Sequence, residues 1–405
     1  MSVSLKLRVA GLAGVLISPL VQADFSIPGF ELVHTVPVDT ALGTDDLRQP
    51  GPVWSELFDG AKRRIDIGQF YAADHPGSVM DHVIERLEAA GKRGVKIRFL
   101  LEEKGLKLSE PATLERLRAI PNLTFRVLPY ARVSGGIIHA KYMVVDGKQA
   151  FIGSQNFDWR SLEHIHETGL RISDAAVVGQ VQAVFEQDWN AQQALTDNQP
   201  VPLPAASQEP PRTGNYLVAS PHRYNPPGVG DSQLELPRLL GEAKQEVRVQ
   251  LLDYAPLSYG PDKTRPYYAV IDNAVRAAAA RGVSVKLMVS NWNTDKRELP
   301  YLKSLAVLPN VQIKIVTLPQ AKQGFIPYAR VIHSKTMEID GQVAWIGTSN
   351  WLGGYLDNSR NLEVVMHSEA MAKRVGQLHQ QLWDGPYARA LNVTEEYPEP
   401  HPGQH

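Results

Sequence analysis

No cysteine occurs in the 405 residues, which excludes thiolate catalysis, disulfides and zinc or iron–sulfur sites built on cysteine. An excess of charge of one sign is missing too. With 42 Lys+Arg against 43 Asp+Glu, a formal net of −1, the chain cannot hold nucleic acid by bulk charge, and any polyanion site must be local. Long hydrophobic runs are also absent. The apolar stretch near the start, Val9 to Val21, covers 13 positions and is broken by Ser18 and Pro19, too short to span a bilayer comfortably. With Lys6 and Arg8 near its start and Val21-Gln22-Ala23 at its end, residues 1–23 read as a cleaved secretory signal. That predicts a periplasmic or secreted protein without stable membrane insertion. What is present is ordinary: 43% apolar residues, in a chain long enough for two domains with a core each.

The main organisational signal is an internal duplication. Ala61-Lys62 matches Ala243-Lys244, Arg93-Gly94-Val95 matches Arg281-Gly282-Val283, and Pro121-Asn122 matches Pro309-Asn310. The offset between matching landmarks is 182, then 188, then 194 at His139 and His333, so the second copy carries two small insertions. In each copy a helix-like stretch, 78–91 or 267–280, stops at a glycine and is followed by an apolar run that suits a buried strand. Alternating helices and strands predict an α/β protein of two pseudo-twofold-related lobes, each a mixed β-sheet flanked by helices. The expected boundaries are 24–195 for the first lobe, 196–231 for a Pro-rich linker and loop, 232–395 for the second lobe, and 396–405 for a frayed tail.

Both copies carry the same polar constellation. His139, Lys141, Asp146, Ser154 and Asn156 in the first match His333, Lys335, Asp340, Thr348 and Asn350 in the second, at identical spacing. On a strand, residues two apart share a face, so each His and Lys project together, and a turn at Asp146-Gly147 or Asp340-Gly341 feeds the strand that delivers the hydroxyl and amide. Two imidazoles, two ammonium groups and four neutral donors suit a phosphodiester. One imidazole can attack phosphorus while the other protonates the leaving oxygen, and the cations can hold the non-bridging oxygens. A single His-x-Lys-x4-Asp is a weak signal, with roughly 0.03 chance matches expected here, but two in one duplicated frame are not coincidence.

At these residues the chain resembles the phospholipase D superfamily, whose hallmark is the paired motif. Gly153-Ser154-Gln155-Asn156-Phe157-Asp158-Trp159-Arg160 and Ile326-Pro327-Tyr328-Ala329-Arg330-Val331 look like the branch of the animal lysosomal members and the poxvirus envelope phospholipase. The resemblance implies a two-lobed monomer with the site between lobes, no metal or other cofactor, and a covalent phosphohistidine. It implies His139 as nucleophile and His333 as general acid, or the reverse. It also implies a phosphate clamp of Lys141, Lys335, Asn156 and Asn350 assisted by Ser154 and Thr348, and Glu167 and Glu363 as the carboxylates that fix the histidine tautomers. Asp146 and Asp340 are expected to brace the hairpin turns through backbone hydrogen bonds.

The implied function is a phosphodiesterase acting on a phospholipid headgroup or on single-stranded nucleic acid. The alternatives are a phosphatidyl transferase like cardiolipin synthase, which the lack of membrane anchors disfavours, and a non-catalytic lipid- or nucleic-acid-binding scaffold. Both motif sets are whole, which disfavours the scaffold. Phe157, Trp159, Tyr328 and Trp351 are candidates for substrate contact or for lobe packing, Arg160 and Arg330 for phosphate or structural roles, and His164 and His166 for a metal or none.

Overall fold

The computed structural model describes residues 24–205, 213–259 and 265–403, so the signal expected at 1–23 lies outside the described residues. Local chemistry explains the element boundaries. The helix Val79–Lys92 starts at Ser78, whose hydroxyl accepts the N–H of Asp81 at 3.1 Å, and ends before Gly94 at φ 90°. Its counterpart Val270–Ala280 ends before Gly282 at φ 93°. The apolar runs that follow form the strands Lys96–Glu102 and Ser284–Ser290, each paired in parallel on both sides, as near-continuous apolar strands require.

Two sheets result. The eight-stranded one runs Ser26–Ile27, Phe30–Thr35, Glu167–Ile172, Gln149–Gly153, Tyr142–Val145, Arg64–Gln69, Lys96–Glu102, Leu123–Leu128. The nine-stranded one repeats this pattern with Gly230–Asp231, Asn215–Ser220, Asn361–His367, Val343–Gly347, Thr336–Ile339, Glu246–Gln250, Ser284–Ser290, Val311–Val316 and a final Ala388–Ala390. In each, the motif hairpin lies mid-sheet. The helices Ala175–Thr196 and Glu369–Asp384 share one core cluster with both sheets. That cluster joins Ile152, Leu170, Val181 and Phe185 to Ile346, Val364, Met371 and Val375, so burial ties the lobes together. Among the described residues, no helix is long and apolar enough to cross a membrane.

Two boundaries differ from expectation. The stretch 196–231, expected as linker and loop, contains the strand Asn215–Ser220, which pairs antiparallel with Asn361–His367 and belongs to the second sheet. The Pro-rich surroundings hid a strand whose partner is remote in sequence. Of the tail 396–405, expected to fray, the described residues 396–403 have no helix or strand but are held down. Thr294 Oγ1 donates to the carbonyl of Pro398 at 3.2 Å, and the N–H of Tyr328 donates to that of Pro402 at 2.8 Å.

Candidate active site

The motif segments leave their own sheets to meet the opposite lobe. The strands begin only at Tyr142 and Thr336, after the His-x-Lys triplets expected to lie on them. The N–H groups of His139 and Ala140 both donate to the carbonyl of Arg360 at 2.9 Å, in the second lobe. Those of His333 and Ser334 donate to the carbonyl of His166 in the first, at 2.8 and 3.1 Å. The exchange is reciprocal, and it carries both histidines into one cavity of about 1150 Å³ lined also by Asn156, Asn350, Phe70 and Tyr355.

Each ring is then fixed by the other lobe. His333 Nδ1 is 2.8 Å from Glu167 Oε2, and His139 Nδ1 is 2.9 Å from Asn361 Oδ1. An acceptor on Nδ1 keeps the proton there and leaves Nε2 free for chemistry. Glu363, expected to fix a histidine tautomer, is hydrogen-bonded to neither His139 nor His333. Its carboxylate takes the hydroxyls of Ser232 and Ser349, and burial raises it to about 7 in spite of those bonds. The partner missed in the sequence is Asn361, and a signal existed: it lies 28 residues after His333, as Glu167 lies 28 after His139. A search restricted to carboxylates passes over an amide at the equivalent position.

Ser154 and Thr348 also take a different place from the expected clamp. Both are fully buried behind the acceptors. Thr348 Oγ1 donates to Asn361 Oδ1 at 2.8 Å and accepts the N–H of Leu362 at 3.1 Å, while Ser154 Oγ accepts the N–H of Thr168 at 3.1 Å and supports Glu167. They position the positioning groups. Asp146 and Asp340 brace more than their own turns. Each carboxylate collects three backbone N–H groups at 2.8 Å from the start of a neighbouring strand, residues 62–64 or 244–246.

Lys141 and Lys335 lie nearly sealed beneath the histidines. Each ammonium donates to the carbonyl of its own motif histidine, Lys335 at 2.6 Å. Burial, with repulsion from Lys335, holds Lys141 well below the usual lysine range, and burial brings Lys335 down to about 7 against the pull of Glu167 and Asp253. Burial and the two lysines keep His139 well below 6.5, so it is neutral. Burial lowers His333 to about 4, opposed by Glu167. Burial pushes Glu167 up, but His333 and Lys335 outweigh it and hold the carboxylate below its ordinary value. Burial thus disfavours the charged form of every basic group here, and an anion bound among them would favour their protonated forms.

The remaining candidates divide. Phe157 and Trp351 are buried packing, whereas Trp159 and Tyr328 line the cavity. Arg330 is structural, bonded to the carbonyls of Pro319 and Val38 at 2.6 and 2.7 Å. Arg160 lines the cavity while paired with Asp158 at 3.0 Å. His166 is engaged on both ring nitrogens, by His34 and by Gln250, each at 3.0 Å. Among the described residues, no group of three or more His, Asp or Glu side chains is placed to hold a metal ion.

A family model described as "Cardiolipin synthase, PLD-like domain" matches residues 55–189 and 236–383. Among curated proteins, the chain is 28% identical to a probable phospholipase D of Caenorhabditis elegans over 396 residues, covering 89% of this chain and 70% of the relative. It is also 28% identical to the human 5'-3' exonuclease PLD4 over 402 residues, covering 89% and 78%. Among solved structures, phosphatidylserine synthase of Haemophilus influenzae superimposes with a TM-score of 0.57 at 12% identity, covering 84% of this chain and 85% of that one. Polyphosphate kinase of Porphyromonas gingivalis gives 0.53 at 15% identity, covering 90% of this chain, which spans about half (49%) of the kinase. These likenesses show a shared fold.

Proposed function

The chain belongs to the phospholipase D-like family, and on that footing we propose that it is a metal-independent phosphodiesterase that cleaves single-stranded nucleic acid from an end. The observation that carries this reading is the reciprocal exchange between lobes, which brings two differently supported histidines to one cavity. His139, kept neutral and held in one tautomer by an uncharged amide, attacks phosphorus through Nε2. The P–N bond forms as the bond to the leaving oxygen breaks, and His333, the more basic ring through its carboxylate partner, gives that oxygen its proton. Water then attacks the phosphohistidine, passing a proton back to His333, and His139 leaves neutral. Lys141 and Lys335, with the amides of Asn156 and Asn350, hold the non-bridging oxygens as negative charge grows.

The nucleic-acid substrate is supported by the exonuclease relatives and by the aromatic side chains along the cavity. A phospholipid headgroup fits the same phosphate chemistry and is favoured by the phospholipase D relative. The discriminating experiment incubates the purified protein with end-labelled single-stranded DNA and with phosphatidylcholine vesicles, each with and without EDTA. We expect chelator-insensitive shortening of the DNA, lost in His139→Ala. Hydrolysis of the lipid alone, or loss of activity in EDTA, contradicts the reading.

A further inference from the structure

The pentapeptide Pro-Tyr-Ala-Arg-Val occurs twice, at 129–133 and 327–331, and folds in two ways. In the first copy Ala131–Ser134 makes a helical turn closed by Gly135 at φ 86°. Tyr130 is fully buried there, with the Arg360 guanidinium 5.7 Å from its ring. In the second copy the four residues Ser134 to Ile137 have no counterpart before Ile332-His333. The chain must therefore reach its histidine in a shorter span. Tyr328 and Arg330 take up the difference in the left-handed region, at φ 58° and 56°, a conformation that disfavours any residue with a Cβ.

Neighbours hold this strain in place. The N–H of Arg330 donates to the carbonyl of His164 at 3.0 Å, its guanidinium is tied down as described above, and the N–H of Tyr328 is bonded to Pro402. Between these anchors Tyr328 remains 55% exposed at the cavity with its hydroxyl end against Gly403, and the carbonyl of Pro327 accepts from Arg160 Nη1 at 3.2 Å. An aromatic side chain that is buried in one copy is held out in the other by backbone the chain does not otherwise favour. Strain maintained at a cleft signals use.

We propose that Tyr328 is a stacking platform for the nucleobase beside the scissile phosphate. This rests on the nucleic-acid reading above and adds a residue that binds the substrate's base. A planar base fits an exposed phenol face, and such stacking tolerates any base. Arg116, paired with Asp74 and Asp81 at 2.9 and 2.6 Å, also lines the cavity, and an acyl chain laid against these groups would desolvate them without compensation.

The test compares wild type, Tyr328→Ala and Tyr328→Phe on two single-stranded oligonucleotides, one natural and one with abasic residues at both ends. Tyr328→Ala should raise KM for the natural strand roughly tenfold with kcat within about twofold, leave the abasic strand unchanged, and be rescued by phenylalanine. An equal effect on both strands, no effect, or a KM rise confined to phosphatidylcholine vesicles overturns the proposal. If wild type cleaves neither strand, the functional reading fails, and binding of the two strands by fluorescence anisotropy decides this one. A Tyr328-dependent preference for the natural strand sustains stacking; equal binding refutes it.

Discussion

Asn361 and Glu167 occupy equivalent positions and do unequal work. An amide oxygen and a carboxylate both accept an Nδ1 proton, but only the carboxylate stabilises a charged ring. On the proposed mechanism this suits His333 to carry the proton and His139 to act as nucleophile. Replacing Asn361 by Ala frees the His139 ring and should lower kcat about 100-fold with little change in KM, since the amide never meets substrate. Asn361→Asp places a charge against His139. The charge favours the protonated, inactive ring, so the acid limb of kcat/KM should move to higher pH while kcat at neutral pH recovers toward wild type. On the basic side the sign is fixed by the other groups. His333, at about 4, must hold a proton and Lys335, at about 7, must stay charged, so kcat/KM falls as pH rises and falls more steeply above 7. A pH profile of the three proteins checks this. An unmoved acid limb in Asn361→Asp removes His139 protonation from the account.

At the level of the element, the motif hairpins are local structures, and that is why they were legible. His, Lys, Asp, hydroxyl and Asn are spaced by a strand, a left-handed two-residue turn at Asp146-Gly147 or Asp340-Gly341, and a second strand, all within eighteen residues. The brace on each aspartate is a matter of strand starts, not of chemistry on substrate. Asp146→Ala strips three N–H groups of their acceptor and should cost about 2 kcal/mol of stability, seen as a lower Tm, while the folded fraction keeps its kcat. A fall in kcat without a fall in Tm would place Asp146 in the catalytic machinery. What the sequence could not disclose was decided across elements. The Asn361 and Glu167 contacts depend on how one lobe folds against the other, the strand Asn215–Ser220 on a partner 141 to 151 residues away, and the fate of Pro-Tyr-Ala-Arg-Val on the length of the loop after it.

Across the whole molecule, duplication gave two equal halves and the interface made them unequal. Each lobe donates one histidine and receives the group that fixes it from the other, so neither lobe holds a complete site. Arg360, fully buried and paired with Asp188 at 2.9 Å, ties the segment bearing Asn361 to the first lobe's helix Ala175–Thr196. This division of labour predicts that one half forms the covalent bond and the other moves protons. The most direct test is a rapid denaturing quench of His333→Asn with a nitrophenyl phosphodiester, whose leaving group needs no acid, followed by mapping of the modified peptide. The account predicts phosphoryl label accumulating on His139, because water attack lacks its base. Label that never appears, or wild-type label on His333, would contradict it.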